Sequence, residues 1–334
     1  MLKAILSFLI SIFLVFVLLY NIRPSPEALE TYLVESEHSV PSDVLQIQFL
    51  GNTNLLFTDG ETSILTDGFF TRPNAFKMLF GKIKPNQSVV KQCLQRANIE
   101  HLDAVIPLHS HFDHAMDAPM VADITGAKLI GSSSTINIGK GYGLKDNQMM
   151  VPPLNEVIHI GKFKLTFIAS RHWQYPSAKQ RAQLLDQNIE TPITTPVKMT
   201  DYKEGISYTL LIEHDSTKIA IQGSAGFKEG SLVNKDVDIL FLAIAGIETM
   251  DETYNRHYQN DIIEALQPEV LVPMHYDDFT LPLTKGLKTT NLLFNWKMGA
   301  NLGKAFEIIE SNNKARSIKV MPLWEPISIH QLLE

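Results

Sequence analysis

Cysteine is nearly absent from this chain of 334 residues, which has only Cys93. That excludes an internal disulfide framework and a thiolate metal cluster, so any metal site must be built from histidine and carboxylate. The redox compartment stays open. Runs of positive charge are missing as well. The formal net charge is -7 and no five Lys and Arg stand together, so there is no basic stripe to neutralise a phosphate backbone, and nucleic acid is not expected as a partner. No internal repeat and no low-complexity segment is visible, and no long apolar run occurs after residue 20.

What is present is apolar content, 45% of the residues, enough for one large core or two modest ones. The N-terminus concentrates it. Residues 4–20 form an apolar run interrupted only by Ser7 and Ser11, between Lys3 and the Asn21-Ile22-Arg23-Pro24 exit. This run sits near the lower end of the roughly 17 to 25 residues of a membrane span, exceeds the roughly 7 to 15 of a signal-peptide core, and has no small-x-small cleavage site behind it. The expectation is an N-terminal transmembrane helix over 1–23, with a cleaved signal and secretion as the alternative. Lys3 and the α-amino group against Arg23 give a weak charge bias that places the following domain outside the cytoplasm. Residues 24–42, opening Pro24-Ser25-Pro26, read as a linker, with a short helix around 27–34. The remaining 43–334 reads as one catalytic domain.

Within that domain, short apolar runs at 45–50, 54–57 and 63–66 alternate with turn residues, the pattern of an antiparallel meander. Residues 87–97 have helical spacing (Val89, Val90, Cys93, Leu94, Ala97), and 101–107 then read as a strand, which implies a βαβ step. Further strands are expected at 157–160, 163–169, 207–213, 218–222, 237–242 and 270–273, with a helix over 254–266. The fold class is α/β with two sheets. Between His172 and the strand at 207, the polar stretch 174–205 has loop character and a length typical of segments that set specificity.

The chemistry is concentrated in His109-Ser110-His111-Phe112-Asp113-His114, between the strand ending at Pro107 and a helix expected near Ala115. A chance match to this pattern has odds on the order of one in a thousand. His109 and His111, two apart on extended chain, point to the same side and can grip one ion, while Asp113 and His114 turn toward a second. Imidazole and carboxylate suit zinc, and iron or manganese as well. His172 alone is as consistent with a surface residue as with a ligand. His257, expected at a helix start, could face the site or lie in solvent, and Asp277 and Asp278, just after His275, read as a turn in preference to outer partners of the site. His38, His101, His159, His214 and His330 have no ligand-like spacing.

The order strand, H-x-H-x-D-H, helix resembles the metallo-β-lactamase superfamily, an αββα sandwich with its metal site at one edge between two mixed sheets. The resemblance covers about residues 45–280. It implies that His172, in Ala169-Ser170-Arg171-His172-Trp173, completes a first metal site with His109 and His111. His275, in Val272-Pro273-Met274-His275-Tyr276, would join Asp113 and His114 at a second. The His-Trp pair looks like the branch of ascorbate-lactone hydrolase-like and N-acyl-phosphatidylethanolamine phospholipase D-like proteins. Asp67 resembles the acidic residue that orients a ligating imidazole through its other nitrogen. Where the family usually places a bridging Asp, this chain has Gly223-Ser224-Ala225-Gly226, so the second site should be weaker.

The resulting expectation is a metallohydrolase, using one or two zinc ions to activate water against an ester, lactone, amide or phosphodiester bond. Asp113 would serve as a ligand or as the carboxylate that orients the water and takes its proton. The substrate would be a small molecule or derived from a lipid. The alternative is a membrane-tethered metal- or ligand-binding protein with little turnover, motivated by Ser224. A redox relative binding two irons is disfavoured, because the chain has no room for the flavin domain such relatives need. Residues 285–334, with Trp296 and Trp324, would close the second sheet or cover the pocket.

Overall fold

The computed structural model describes all residues except 1, 24–26, 37–40, 42–43, 176, 291–301 and 312–315, and the side chains of 2, 4, 27, 28 and 285. Expectations resting on Pro24 to Pro26, His38, Asp43 and Trp296 therefore lie outside the described residues.

Two seven-stranded sheets form the body. In the first, β1 (Gln46–Phe49), β2 (Leu55–Thr58) and β3 (Ser63–Thr66) make the expected antiparallel meander. They are followed in parallel by β4 (Ala104–Ile106), β5 (Lys128–Ile130) and β6 (Met149–Met150). The second sheet repeats this plan. Its β7 (Val157–Ile160), β8 (Phe163–Ala169), β9 (Tyr208–His214) and β10 (Thr217–Gln222) are antiparallel. The parallel strands β11 (Ile239–Ala243), β12 (Val270–Met274) and β13 (Ser317–Ile318) then extend it. A last strand, β14 (Pro326–Ser328), crosses back and pairs with β1.

Burial follows from this plan. β11 and β12 are buried at every position, as parallel strands covered on both faces must be, and they read as unbroken apolar runs. The antiparallel β8 opens with inside-outside alternation. The main core lies between the sheets, where Phe57 of β2 meets Phe241 of β11 edge to face at 5.9 Å. A second cluster packs the helix Gln87–Arg96 onto the outer face of the first sheet through Val90, Cys93 and Leu94. The Asn86 side chain caps that helix by accepting from the Ser88 and Val89 N–H groups.

Near the N-terminus the outcome differs from expectation. Leu2–Asn21 is a single 20-residue helix, and its large side chains from Ile5 to Leu18 are exposed. Among the described residues, however, no helix is long and apolar enough to cross a membrane. The expected linker is partly packed onto the domain: Leu29 enters the main core, Tyr32 meets Phe306 at 5.4 Å, and the Val34 N–H donates to the Val320 carbonyl at 2.9 Å. The C-terminal segment does both things expected of it. It supplies β13 to the second sheet, and its helix Leu302–Glu310 brings Leu302 and Ala305 to the pocket described next.

Candidate metal centre

Four loops following strand C-termini carry the chemistry to one edge of the sandwich. β4 leads to His109, β8 to His172, β10 to Ser224 and β12 to His275. Side chains gathered at strand ends sit on a rigid frame while the loops that hold them vary.

The motif changes conformation halfway. His111 is extended (φ -63°, ψ 157°) and is the N-cap residue of a short helix, Phe112–Ala115, which precedes the longer Ala118–Thr125. The helix thus begins three residues before Ala115, and Asp113 and His114 lie on its turn. This switch from strand-like to helical backbone separates the two pairs in direction.

Two triads result. Ligand-capable atoms of His109, His111 and His172 lie within 4.8 Å of one another, as do those of Asp113, His114 and His275. In the first, His109 Nε2 is 3.1 Å from His111 Nδ1. His172 donates its Nδ1 proton to the Trp173 carbonyl at 2.7 Å, leaving Nε2 available. In the second, Asp113 Oδ2 stands 3.6 Å from His114 Nε2 and 3.5 Å from His275 Nε2. Asp67 accepts from His114 Nδ1 at 2.8 Å and from the Leu108 N–H at 2.8 Å.

The electrostatics of each group follow from burial. His109 and His172 are held well below the usual imidazole range, first by burial and then by neighbouring imidazoles. His111 is pushed down to about 4, again chiefly by burial. For His114, burial acts downward but the charges of Asp67 and Asp113 outweigh it, and the net shift is upward. Burial alone would raise Asp113, yet His114, His275 and His111 hold it well below the usual carboxylate range. The neutral imidazoles of the first triad and the ionised carboxylate of Asp113 are in the protonation states that metal binding requires, while His114 would have to give up a proton to a metal.

The residues fit a metal on an observation independent of family. His109 Nδ1 and His114 Nε2 are buried without a hydrogen-bond partner among the described residues. Such groups cost free energy unless something satisfies them. A cation between His114, Asp113 and His275 would satisfy the second of these atoms.

The remaining candidates separate. Ser224 lines the pocket, and its hydroxyl accepts the Trp173 N–H at 3.0 Å. His257 is not at the site. It lies late in the helix Glu252–Tyr258, half exposed, stacked on Phe227 and 3.4 Å from Asp261. The helix starts two residues earlier than expected, and with its ring on Phe227 His257 does not line the pocket. Asp277 and Asp278 are buried rather than turn-exposed, 2.6 Å from Arg72 and 2.7 Å from Arg23 respectively. His214 is also buried, paired with Asp59 at 2.9 Å far along the sheets from the triads.

Two residues that the sequence did not mark organise the site. Asn52, fully buried, accepts the His275 N–H at 2.9 Å, donates its own N–H to Asp277 at 2.8 Å, and donates its side-chain amide to the Asp113 carbonyl at 2.7 Å. Glu204, lifted by burial, accepts from the N–H groups of His172 and Asp186, each at 3.0 Å. A turn-forming Asn and an acid in a polar stretch have no distinguishing spacing. Around them opens a cavity of about 240 Å³ that includes His111, Asp113, His172 and His275 in its lining. The stretch 174–205 contributes Tyr175, Gln180, Leu184, Met199 and Tyr202 to it, partly as a helix, Ala178–Leu184, that the sequence did not reveal.

A family model for the beta-lactamase superfamily domain matches residues 46–275, which contain both triads. The chain belongs to the metallo-β-lactamase superfamily. Among its relatives, a UPF0173 metal-dependent hydrolase from Pyrobaculum arsenaticum is 21% identical over 239 residues, 71% of this chain and 86% of that protein. Another, from Heliobacterium modesticaldum, is 29% identical over 108 residues, 32% of this chain and 38% of its own length. The solved structure of Igni18, a metallo hydrolase from Ignicoccus hospitalis, superposes with a TM-score of 0.53 at 17% identity, covering 86% of this chain and 98% of that one. The superposition supports the fold. With the family established, this protein is a metal-dependent hydrolase of the metallo-β-lactamase superfamily.

Proposed function

We propose that His109, His111 and His172 hold one ion and that Asp113, His114 and His275 hold a second, zinc being the metal that this donor set suits best. The observation that carries this reading is the pair of triads, each within 4.8 Å, at the floor of one pocket. A bound ion would lower the pKa of water from roughly 15.7 toward about 7 and polarise the scissile oxygen. Asp113, ionised and with Oδ2 facing both imidazoles of its triad, would hold the second ion or, with that position empty, would orient the water and accept its proton. Asp67 fixes the tautomer of His114, and the Trp173 carbonyl fixes that of His172. The bond cut is an ester, lactone, amide or phosphodiester.

The missing bridging carboxylate at Ser224 makes the second site the weaker of the two. Metal content of the purified full chain should approach two ions per chain, fall in His111→Ala, and hold more firmly against chelator in Ser224→Asp. Absence of metal from the folded protein would sink this reading. Bound metal without turnover of any ester, lactone, amide or phosphodiester would leave the binding-protein alternative.

The exposed apolar side chains from Ile5 to Leu18 support tethering to a membrane, with the charge bias of Lys3 against Arg23 favouring the extracytoplasmic side for the domain. Resistance of the full chain to alkaline extraction from membranes, and its digestion by protease added outside sealed cells, test the two halves of that statement.

A further inference from the structure

The walls of the pocket above the triads are mostly apolar, and among the described residues no Lys or Arg lines them. Met78, Leu79, Phe112, Trp173, Leu184 and Leu302 supply much of the surface. The charged groups present are all acids, and two are neutralised from behind: Asp277 by Arg72 at 2.6 Å and Asp278 by Arg23 at 2.7 Å. Three cations not on the walls are turned to backbone carbonyls. Arg181 donates to that of Tyr175, Lys203 to that of Gln183 at 2.6 Å, and Lys304 to that of Glu248 at 2.8 Å.

The lip of the pocket continues the same character. Helix Ala75–Phe80, capped by Asn74, turns Ala75, Met78 and Leu79 to the wall. Its Phe76 and Phe80 remain 73% and 77% exposed, so an apolar surface runs from the floor to the outside. Burying an anionic group against such walls forfeits its hydration with no Lys or Arg among the described lining residues in return, whereas each methylene removed from water is a gain.

We propose that the substrate presents, beside the bond cut at the metal centre, an uncharged apolar acyl or alkyl chain. This chain lies between the Met78–Leu79 lip and the Trp173–Leu302 wall, and chains that end in a carboxylate are rejected. The proposal rests on the hydrolase reading for the position of the scissile bond, but its test does not require turnover.

Three hydroxamates share one metal-binding head and differ only in the tail: octanohydroxamate, suberic acid monohydroxamate and acetohydroxamate. Calorimetric titration into the zinc-loaded full chain should give octanohydroxamate a Kd at least about tenfold below each of the others, a gap equivalent to about 1.4 kcal/mol. In Met78→Lys, which sets an ammonium at the lip, that preference over the carboxylate-ended tail should narrow or reverse. Equal or tighter binding of suberic acid monohydroxamate by the wild type would overturn the proposal. So would an octyl chain that adds nothing over acetohydroxamate, or a Met78→Lys variant that keeps metal and fold with an unchanged preference. Ester hydrolysis measured in parallel separates the two claims, since tail selectivity without turnover sinks only the hydrolase reading. The chain could be that of a soluble ester or of a membrane lipid. Adding phosphatidylcholine vesicles to a hexadecyl hydroxamate distinguishes them: apparent affinity falls if the ligand is taken from water and holds if it is taken from the bilayer.

Discussion

At the scale of single residues, each ring in the site is fixed by what its second nitrogen touches. Asp67 accepts from His114 Nδ1, so the carboxylate sets which nitrogen of His114 faces Asp113. Replacing Asp67 by Asn keeps size but removes the charge and lets the amide offer the wrong partner. Losses of about 10- to 100-fold in metal affinity are typical when such an outer partner is changed. In Asp67→Asn this loss should fall on the second ion alone, leaving the first triad loaded. Competition with a chromogenic chelator would resolve two ions released at different concentrations; simultaneous release of both would contradict separate triads. Four side chains of the triads, His109, His111, Asp113 and His114, were legible in the sequence because metal chemistry demands rare residue types in tight spacing, whereas His172 and His275, distant along the chain, were marked only by the resemblance to the superfamily. Asn52 and Glu204 were not, because each acts through ordinary amide hydrogen bonds that any buried Asn or Glu can make. His257 misled for a related reason: a histidine at an assumed helix start has a direction only once the helix phase is known, and the helix Glu252–Tyr258 turns it toward Phe227.

At the scale of elements, strands and helices were legible where apolar period and caps agreed, as in β1 to β4 and the helix Gln87–Arg96. The stretch 174–205 was read as loop because its composition is polar, and the helix within it has no buried residue to give it an apolar stripe. How closely these connections approach one another was invisible. A Cβ at Gly226 would lie 2.2 Å from the Arg171 carbonyl oxygen and 2.4 Å from the His172 carbonyl carbon, both backbone atoms that cannot rotate aside. Gly226→Ala must therefore push the His172 segment or its own loop away. Since His172 belongs to the first triad, the expected outcome is a folded protein that loses its tighter ion and at least 10-fold in hydrolysis. Circular dichroism with metal analysis checks this, and a variant with full metal content and wild-type rate would show that the β10 loop has room to move. Gly246 is the counterpart on the substrate side. A Cβ there would meet the Trp173 ring at 2.5 Å, so Gly246→Ala should displace the indole into the pocket and raise KM with metal content unchanged.

At the scale of the whole molecule, two sheets of like plan meet face to face, and the C-terminal strands β13 and β14 tie one to each. This doubled architecture was not visible as a sequence repeat, because pairing plan is set by apolar pattern and turns, which many unrelated residues satisfy. Placing the triads at one edge of the sandwich stores several imidazoles in a dry site, and this sets the acid stability of the metal-free protein. His109, His111 and His172 are held below the ordinary imidazole value of about 6.5, His111 at about 4. Between those values the unfolded chain binds protons that the folded chain refuses, so stability is lost as pH falls from about 6.5 toward 4. For His111 alone the gap corresponds to on the order of 3 kcal/mol. Three groups act the other way. Asp117, raised to about 6 by burial, Glu204, also raised by burial, and His114, raised by Asp67 and Asp113, all favour the folded state more as pH falls. The large downward shifts of His109, His111 and His172 outweigh them between pH 7.5 and 5, and bound metal adds to the trend because each ligand must stay unprotonated. Urea unfolding of the chelator-treated chain should therefore show a lower midpoint at pH 5 than at pH 7.5, with a larger drop when zinc is present. A midpoint that holds or rises at pH 5 would mean that the three imidazoles accept protons without leaving the folded site, and the triad geometry could not then survive their mutual repulsion.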